Sequence, residues 1–383
     1  MIEADAFISA ARDYGISRYA GVPCSFLTPV INGVISSSKC EYVSAANEGD
    51  AVAIACGNYL GSGAVAVAMM QNSGLGNAVS PLTSLVDTFG IPVLAICTHR
   101  GAPGVKDEPQ HELMGEITPQ LLKTMRIEHG AFPSEPNDIP TVLSRATGCF
   151  KNDRPFIMVM QKGACASSAL NEPARPERAR ASGVVRCAGD KKNRLKRMAV
   201  LEKVVDLTND EDWIIVATTG FTGRELFVVR DRPNHFYMVG SMGCASSLGL
   251  GLAMTQPHKK VLVIDGDGAG LMRLGNFATA GAYADSNYFH LLLDNEVHDS
   301  TGAQATVSRD TDFAEIASAC GYRHVYSGCD DHAIEALITR DQCEGANFLH
   351  FQIDAGTIEN LPRPDITPKE VRQRLMQHLG NQP

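Results

Sequence analysis

The chain lacks most of what would place it in a membrane or outside the cell. Its longest apolar runs, such as Ala64–Met70 and Ile91–Cys97, fall far short of the ~18 residues that span a bilayer. The opening MIEADAF has neither a basic segment nor an apolar one, so no secretory leader is expected. Disulfide patterning is missing as well. The eleven cysteines are odd in number and scattered, none forms C-x-x-C, and the closest two, Cys320 and Cys329, are separated by eight residues. Reduced, mostly buried thiols in a cytoplasmic protein are the expectation. No zinc-type spacing and no H-E-x-x-H occurs. Positive charge is in deficit: 34 basic against 43 acidic side chains leave a net charge of −9. Such a chain repels phosphate backbones and anionic lipid, which argues against general nucleic-acid or membrane binding.

What is present is an ordinary globular composition, 44% hydrophobic and 20% charged over 383 residues, enough for two or three domains. Short runs rich in Val, Ile and Ala alternate with longer amphipathic segments. In the first half the runs are Arg18–Val22, Glu41–Ala45, Ala64–Met70, Pro92–Thr98, Ile127–Phe132 and Pro155–Met160, with helical stretches such as Glu3–Tyr14, Asp50–Leu60 and Leu75–Val86 between them. The second half repeats the plan, with strands at Trp213–Thr218, His235–Gly240, Lys260–Ile264, Tyr288–Leu293, His324–Tyr326 and Phe348–Ile353. Its helices are expected at Gly223–Arg230, Ala245–Thr255, Leu271–Tyr283, Asp312–Cys320 and His332–Thr339. Continuously apolar strands are buried on both faces, which predicts α/β domains, each a doubly wound parallel sheet. The expected division is 1–165, a linker over 166–192, and 193–383. Between Gly163 and Asp190 the apolar periodicity stops. Residues 172–197 hold nine basic and three acidic side chains with no interleaved aromatic, which reads as a solvated linker running into a surface helix rather than a nucleic-acid patch.

The most informative stretch is KKVLVIDGDGAGLMRLGNF followed by HLLLDNEVHDSTGAQ. A buried strand ends in Asp265-Gly266-Asp267-Gly268, where glycines allow close backbone approach and the next helix offers free N–H groups to phosphate. The following strand ends at Asp294-Asn295, 25 residues beyond Gly268. Oxygen atoms at adjacent strand ends, completed by diphosphate oxygens, suit Mg²⁺, a hard ion bound by few protein groups. A lone G-D-G is an ordinary strand–helix turn; the Asp-Asn at the next strand end changes that weighing.

This spacing resembles the signature of the thiamine-diphosphate-dependent decarboxylases, with Asp294 standing where that family has the first of two asparagines. The resemblance implies the thiamine-diphosphate-binding fold in both halves, a pyrimidine-binding domain at 1–165 and a diphosphate-binding domain at 193–383. Thiamine diphosphate and Mg²⁺ are then the expected cofactors. Asp267, Asn295 and the carbonyl of Val297 would hold the metal. Thr219 and Gly220, with Gly266, Gly268 and Ala269, would hold the diphosphate. In Gly240-Ser241-Met242-Gly243, Met242 would be the apolar wedge that bends the cofactor, the backbone of Gly240 would bond the aminopyrimidine, and Ser241 would be a further cofactor-binding residue. Glu48, in Ala46-Asn47-Glu48-Gly49-Asp50, would be the catalytic glutamate; alone it would read as a helix-capping carboxylate.

Further segments narrow the resemblance: Gly21-Val22-Pro23-Cys24-Ser25-Phe26-Leu27, Gln71 to Asn77, Lys106 to His111 and Asp294 to Gly302. Together they are similar to the phosphonopyruvate decarboxylases, with sulfopyruvate decarboxylase the nearest relative. The implied reaction is non-oxidative loss of CO2 from a small 2-oxo acid with an anionic tail. Ser25, Arg100, Lys106 and His111 are the candidates for seating that tail. The family builds each site between subunits, so a homo-oligomer is expected. A rival reading, a nicotinamide-dependent oxidoreductase, rests on Gly61-Ser62-Gly63-Ala64-Val65-Ala66. A dinucleotide fingerprint follows a strand and opens a helix; here the expected order is the reverse.

Overall fold

A computed structural model describes residues 1–172, 183–187, 194–339 and 344–382. By internal contacts the chain divides into two units, the first of residues 1–59 and 63–176, the second of residues 60–62 and 177–383.

The first unit is built on six strands, β1 (Arg18–Gly21), β2 (Glu41–Ser44), β3 (Val67–Met70), β4 (Leu94–Thr98), β5 (Glu128–Ala131) and β6 (Phe156–Met160). They form a wholly parallel sheet in the order β2-β1-β3-β4-β6-β5. Burial follows position. Central β3, β4 and β6 are buried at every residue, whereas the edge strands β2 and β5 show exposed and half-buried positions. The apolar run therefore sets which strands are central, and Glu41 and Glu128 blunt the edges. The strand order reverses between β1 and β3. Loops leaving the carboxyl ends of those two strands face a common crevice, the position where open α/β sheets bind ligands.

The second unit contains β7 (Val184–Arg186), β8 (Trp213–Ala217), β9 (His235–Tyr237), β10 (Lys260–Gly266), β11 (Tyr288–Asp294), a small hairpin of β12 (Val297–His298) and β13 (Gln304–Ala305), then β14 (His324–Gly328) and β15 (Asn347–Gln352). Seven of these make a second parallel sheet, β7-β14-β15-β11-β10-β8-β9, with its reversal between β8 and β10. The two sheets are the architecture expected from the sequence.

The structure differs from the sequence reading in a few places. Val184–Arg186, inside the stretch read as linker, forms an edge strand against β14; three residues are too few to show a period. The rest of the basic stretch, 173–182 and 188–193, lies outside the described residues. Its last member, Arg197, was expected on a surface helix. It is buried, 5% exposed, at the start of the helix Arg197–Leu207. The expected helix Leu271–Tyr283 is two, Asp267–Met272 and Gly275–Tyr283, parted at Arg273, whose backbone leaves helical dihedrals. Leu75–Val86 is helical but not uniform: Pro81 lacks the N–H that would close an ordinary turn, and Leu82–Val86 follows as a π turn. Gly63 caps the helix Glu48–Ser62 at φ +71° and leads into β3, so the Gly61–Ala66 segment lacks the strand-to-helix context of a dinucleotide loop. Among the described residues no helix is long and apolar enough to cross a membrane, and all ten cysteines are unbridged.

Candidate active site

In the second unit, the loops after β8 and β10 meet at the sheet's reversal point and line one cavity. Thr219 and Gly220 follow β8, Gly266 closes β10, and Asp267, Gly268 and Ala269 open the short helix after it. Asn295 and Val297, beyond β11, complete the wall, and Met242 reaches it from the turn after β9. Nine of the residues singled out from sequence thus share one cavity. Gly240 and Ser241 do not line it. Their part is in shaping the turn: Ser241 is held at φ +51°, a region costly for a residue with a Cβ, and Met242 projects from that turn into the cavity wall. Gly268 lets two side chains come close, since a Cβ there would stand 2.5 Å from His298 Cε1 and 3.0 Å from Met242 Cε and would push them aside.

Asp267 is 4% exposed, and its Oδ2 accepts a hydrogen bond from Thr306 Oγ1 at 2.5 Å. Burial pushes its carboxyl above the usual range, the Thr306 bond opposes the shift, and the Asp294 charge adds to it. A cation beside it would offset that cost. Asp294 is turned elsewhere: Ser308 Oγ donates to its Oδ1 at 2.7 Å, and His350 Nε2 bonds its Oδ2 at 2.8 Å. Burial alone would raise the Asp294 carboxyl, but the His350 and Ser308 bonds outweigh it and hold it below the usual value. The departure from the two-asparagine pattern at Asp294 is therefore absorbed by a buried partner, His350, which sequence reasoning did not single out. Its signal, a histidine between apolar neighbours in strand β15, is shared by many core histidines.

Asp267, Asn295 and Val297 all line the cavity, and the donors they carry are oxygens, which are hard. Among the described residues no group of three or more His, Cys, Asp or Glu is arranged to hold a metal. That sparse oxygen set fits Mg²⁺ completed by phosphate oxygens and does not fit a soft metal.

In the first unit, Glu48 opens the helix Glu48–Ser62, whose N-cap Asn47 accepts from Gly49 N–H at 2.8 Å. Glu48 Oε2 accepts from Asn77 Nδ2 at 2.8 Å, so the carboxylate is aimed by a neighbour as well as by its helix. Gly74 packs under it: a Cβ there would lie 2.0 Å from Glu48 Oε1. Because Gly74 already has helical φ, Gly74→Ala should fold normally. It should still displace the carboxylate and reduce turnover on the order of 10²-fold, the scale of a misplacement of about 1 Å. Steady-state kcat beside an unchanged thermal melt would check this.

The four residues expected at the anionic tail are not equivalent. Arg100 and Ser25 meet: Arg100 Nη1 donates to Ser25 Oγ at 3.1 Å, with the guanidinium over the Phe26 ring at 4.8 Å. Arg100 is also gripped by Asp107 through Nε (2.7 Å) and Nη2 (2.5 Å). That fork raises the Arg100 pKa further and holds Asp107 far below the ordinary carboxylate value. Arg100 therefore brings directed N–H groups rather than a whole free charge. Lys106 is exposed, and His111 is buried with Nδ1 lacking a hydrogen-bond partner. Cys24, bonded through Sγ to Gln71 Oε1 at 3.2 Å, and Ser73, which accepts from Gln71 Nε2 at 2.5 Å, join the same crevice after β1 and β3.

Comparison with known proteins agrees with this geometry. Residues 1–122 match the family model "Thiamine pyrophosphate enzyme, N-terminal TPP binding domain", and residues 219–348 match its counterpart, the "C-terminal TPP binding domain". The chain is 42% identical to the phosphonopyruvate decarboxylase of Streptomyces viridochromogenes, over 100% of this chain and 96% of that protein. It is 41% identical to the Streptomyces hygroscopicus phosphonopyruvate decarboxylase, over 98% and 93%. Sulfopyruvate decarboxylase of Methanosarcina acetivorans is 29% identical over 97% and 96%. Among solved structures, the thiamine diphosphate-dependent 4-hydroxybenzoylformate decarboxylase of Rhodococcus jostii superposes with a TM-score of 0.68, covering 94% of this chain and 100% of that one. At 12% identity that likeness concerns the fold alone.

Proposed function

The chain belongs to the phosphonopyruvate decarboxylase family of thiamine pyrophosphate enzymes, and from that premise we propose that it converts phosphonopyruvate to phosphonoacetaldehyde and CO2 in the cytoplasm. The observation that carries the reading is full-length identity of 41–42% to two phosphonopyruvate decarboxylases, against 29% to the sulfonate enzyme. Thiamine diphosphate, when bound, supplies a nucleophilic carbon and an electron sink for the bond to CO2. The chain's own residues bind, aim and exchange protons. Asp267, Asn295 and the Val297 carbonyl would hold Mg²⁺; Thr219, Gly220, Gly266, Gly268 and Ala269 would take the diphosphate; Met242, presented by Gly240 and Ser241, would be the apolar side chain packed against the cofactor. Glu48 would stand at the aminopyrimidine, where its carboxyl can accept and return a proton. Ser25 and Arg100 orient the tail, with Lys106 and His111 supplying further charge or hydrogen bonds.

The test is product identification. Purified protein given phosphonopyruvate, thiamine diphosphate and Mg²⁺ should release CO2 and phosphonoacetaldehyde in equal amounts, with neither formed when the cofactor is withheld. An unreacted substrate under those conditions would contradict the reading.

We also propose a homo-oligomer in which the Glu48 half-site of one subunit serves the Asp267 half-site of another. Mixing inactive Glu48→Gln with inactive Asp267→Ala under subunit exchange should then restore part of the activity, because one assembled site regains both wild-type halves. Proven exchange with no recovery would show that each site is built within one chain.

A further inference from the structure

Asn295 can hold a cation only through its side-chain oxygen, yet an amide can be turned either way in its socket. The structure contains a device that chooses. Asn295 Nδ2 donates to Asp299 Oδ2 at 2.7 Å. A carboxylate accepts and cannot donate, so Asp299 selects the orientation that puts Nδ2 toward itself and Oδ1 away, where it accepts the Val297 N–H at 3.2 Å. Asp299 is in turn immobilised. Arg197 Nη2 donates to the same Oδ2 at 2.5 Å, and the Gly356 N–H reaches Oδ1 and Oδ2 at 3.2 and 3.1 Å. Arg197 is fixed from its other side by Glu225 Oε1 at 3.0 Å, which also accepts from Thr357 Oγ1 at 2.6 Å.

The side chains of Arg197, Glu225 and Asp299 are 6%, 1% and 9% exposed. One cation among two carboxylates leaves this buried cluster with a formal surplus of negative charge beside Asp267. Such a cluster is costly in an empty protein and favourable beside a dication. It also fastens three chain segments to one loop: the helix Arg197–Leu207, the helix Phe221–Val229 and residues 354–357.

We propose that Asp299, clamped by Arg197, is a positioning residue that sets the amide of Asn295 for metal binding. The inference rests on Asn295 being a metal ligand. The experiment is a titration of Mg²⁺ into the full chain with saturating thiamine diphosphate, read as a dissociation constant by calorimetry.

Asp299→Asn should weaken Mg²⁺ by about 10- to 100-fold, the usual cost of losing an outer partner of a ligand. The metal-free melt should stay within a few degrees of wild type. The double variant Asn295→Ala/Asp299→Asn should bind Mg²⁺ no more weakly than Asn295→Ala alone, because Asp299 acts through the amide that is then gone. A merely structural role for Asp299 would make the two losses add. If Asp299→Asn does not fold, Asp299→Glu, which keeps the carboxylate but shifts it, is read in the same way.

Wild-type affinity in Asp299→Asn alongside a loss in Asn295→Ala overturns the inference alone, as does a double variant in which the two losses add. Wild-type affinity in Asn295→Ala overturns the ligand assignment, and the inference with it.

Discussion

Asp267→Ala should abolish activity, and it should do so through the cofactor rather than the fold. Asp267 lines the cavity and is the carboxylate assigned to the metal, and Mg²⁺ relies on few protein ligands. Its removal should weaken Mg²⁺-dependent cofactor binding by more than the ~100-fold typical of outer positions. The metal-free protein should tolerate the change. Burial and the neighbouring Asp294 charge both raise the Asp267 carboxyl, so in the absence of a cation its ionised form is a cost to the folded state at neutral pH. The expected signature is a metal-free melt that does not fall by more than a few degrees, with the melt no longer raised by thiamine diphosphate and Mg²⁺. Calorimetry showing wild-type cofactor affinity in this variant would remove Asp267 from the metal site.

Glu48→Gln should behave differently. The side chain keeps its length, and an amide oxygen can still accept from Asn77 Nδ2, so local packing and cofactor affinity should change little. What is lost is a group that can both accept and return a proton. Loss of one positioned acid–base group costs about 10²–10⁴-fold, and the whole of that should fall on kcat. The pair of variants therefore separates binding from proton transfer: one loses cofactor, the other holds it and stalls. Near-normal kcat in Glu48→Gln would take this residue out of the mechanism.

Except for the edge strand β7, the strands of the two large sheets were legible as short runs, most of them apolar, between turn residues, and their observed bounds differ from the sequence reading by a few residues. The cavity was legible where chemistry coincides with strand ends. In Asp267 and Asn295 the residue type, the glycines and the interval of one strand–helix–strand passage all point the same way. Partners that act from a distance in sequence were not legible. Arg197 sits in a run of basic residues and reads as solvated, yet it is buried because Glu225 and Asp299, 28 and 102 positions away, close over it. Asp107 follows Lys106 in a charged segment, and nothing in that spacing shows that it will grip Arg100 and reduce the free charge offered to a substrate tail. Asp294 reads as a departure from pattern until His350, from β15, is seen to hold it. Each of these misses is a specific pairing of polar groups, which periodicity does not encode.

The substrate tail is what separates the candidate activities. A phosphonate carries about −1.5 to −2 at neutral pH, by analogy with a phosphate monoester, and a sulfonate one charge, while the two are nearly alike in shape. The Ser25–Arg100 arrangement offers directed hydrogen bonds to either, and bidentate or charge-assisted bonds favour the more highly charged group. Pyruvate, with no tail, would leave those groups without a partner. The deciding measurement is kcat/KM for phosphonopyruvate, sulfopyruvate and pyruvate under one set of conditions. Phosphonopyruvate should lead, with pyruvate the poorest of the three; a clear preference for sulfopyruvate would place the chain's activity with the sulfonate enzymes, and a preference for pyruvate would contradict the anionic tail site altogether.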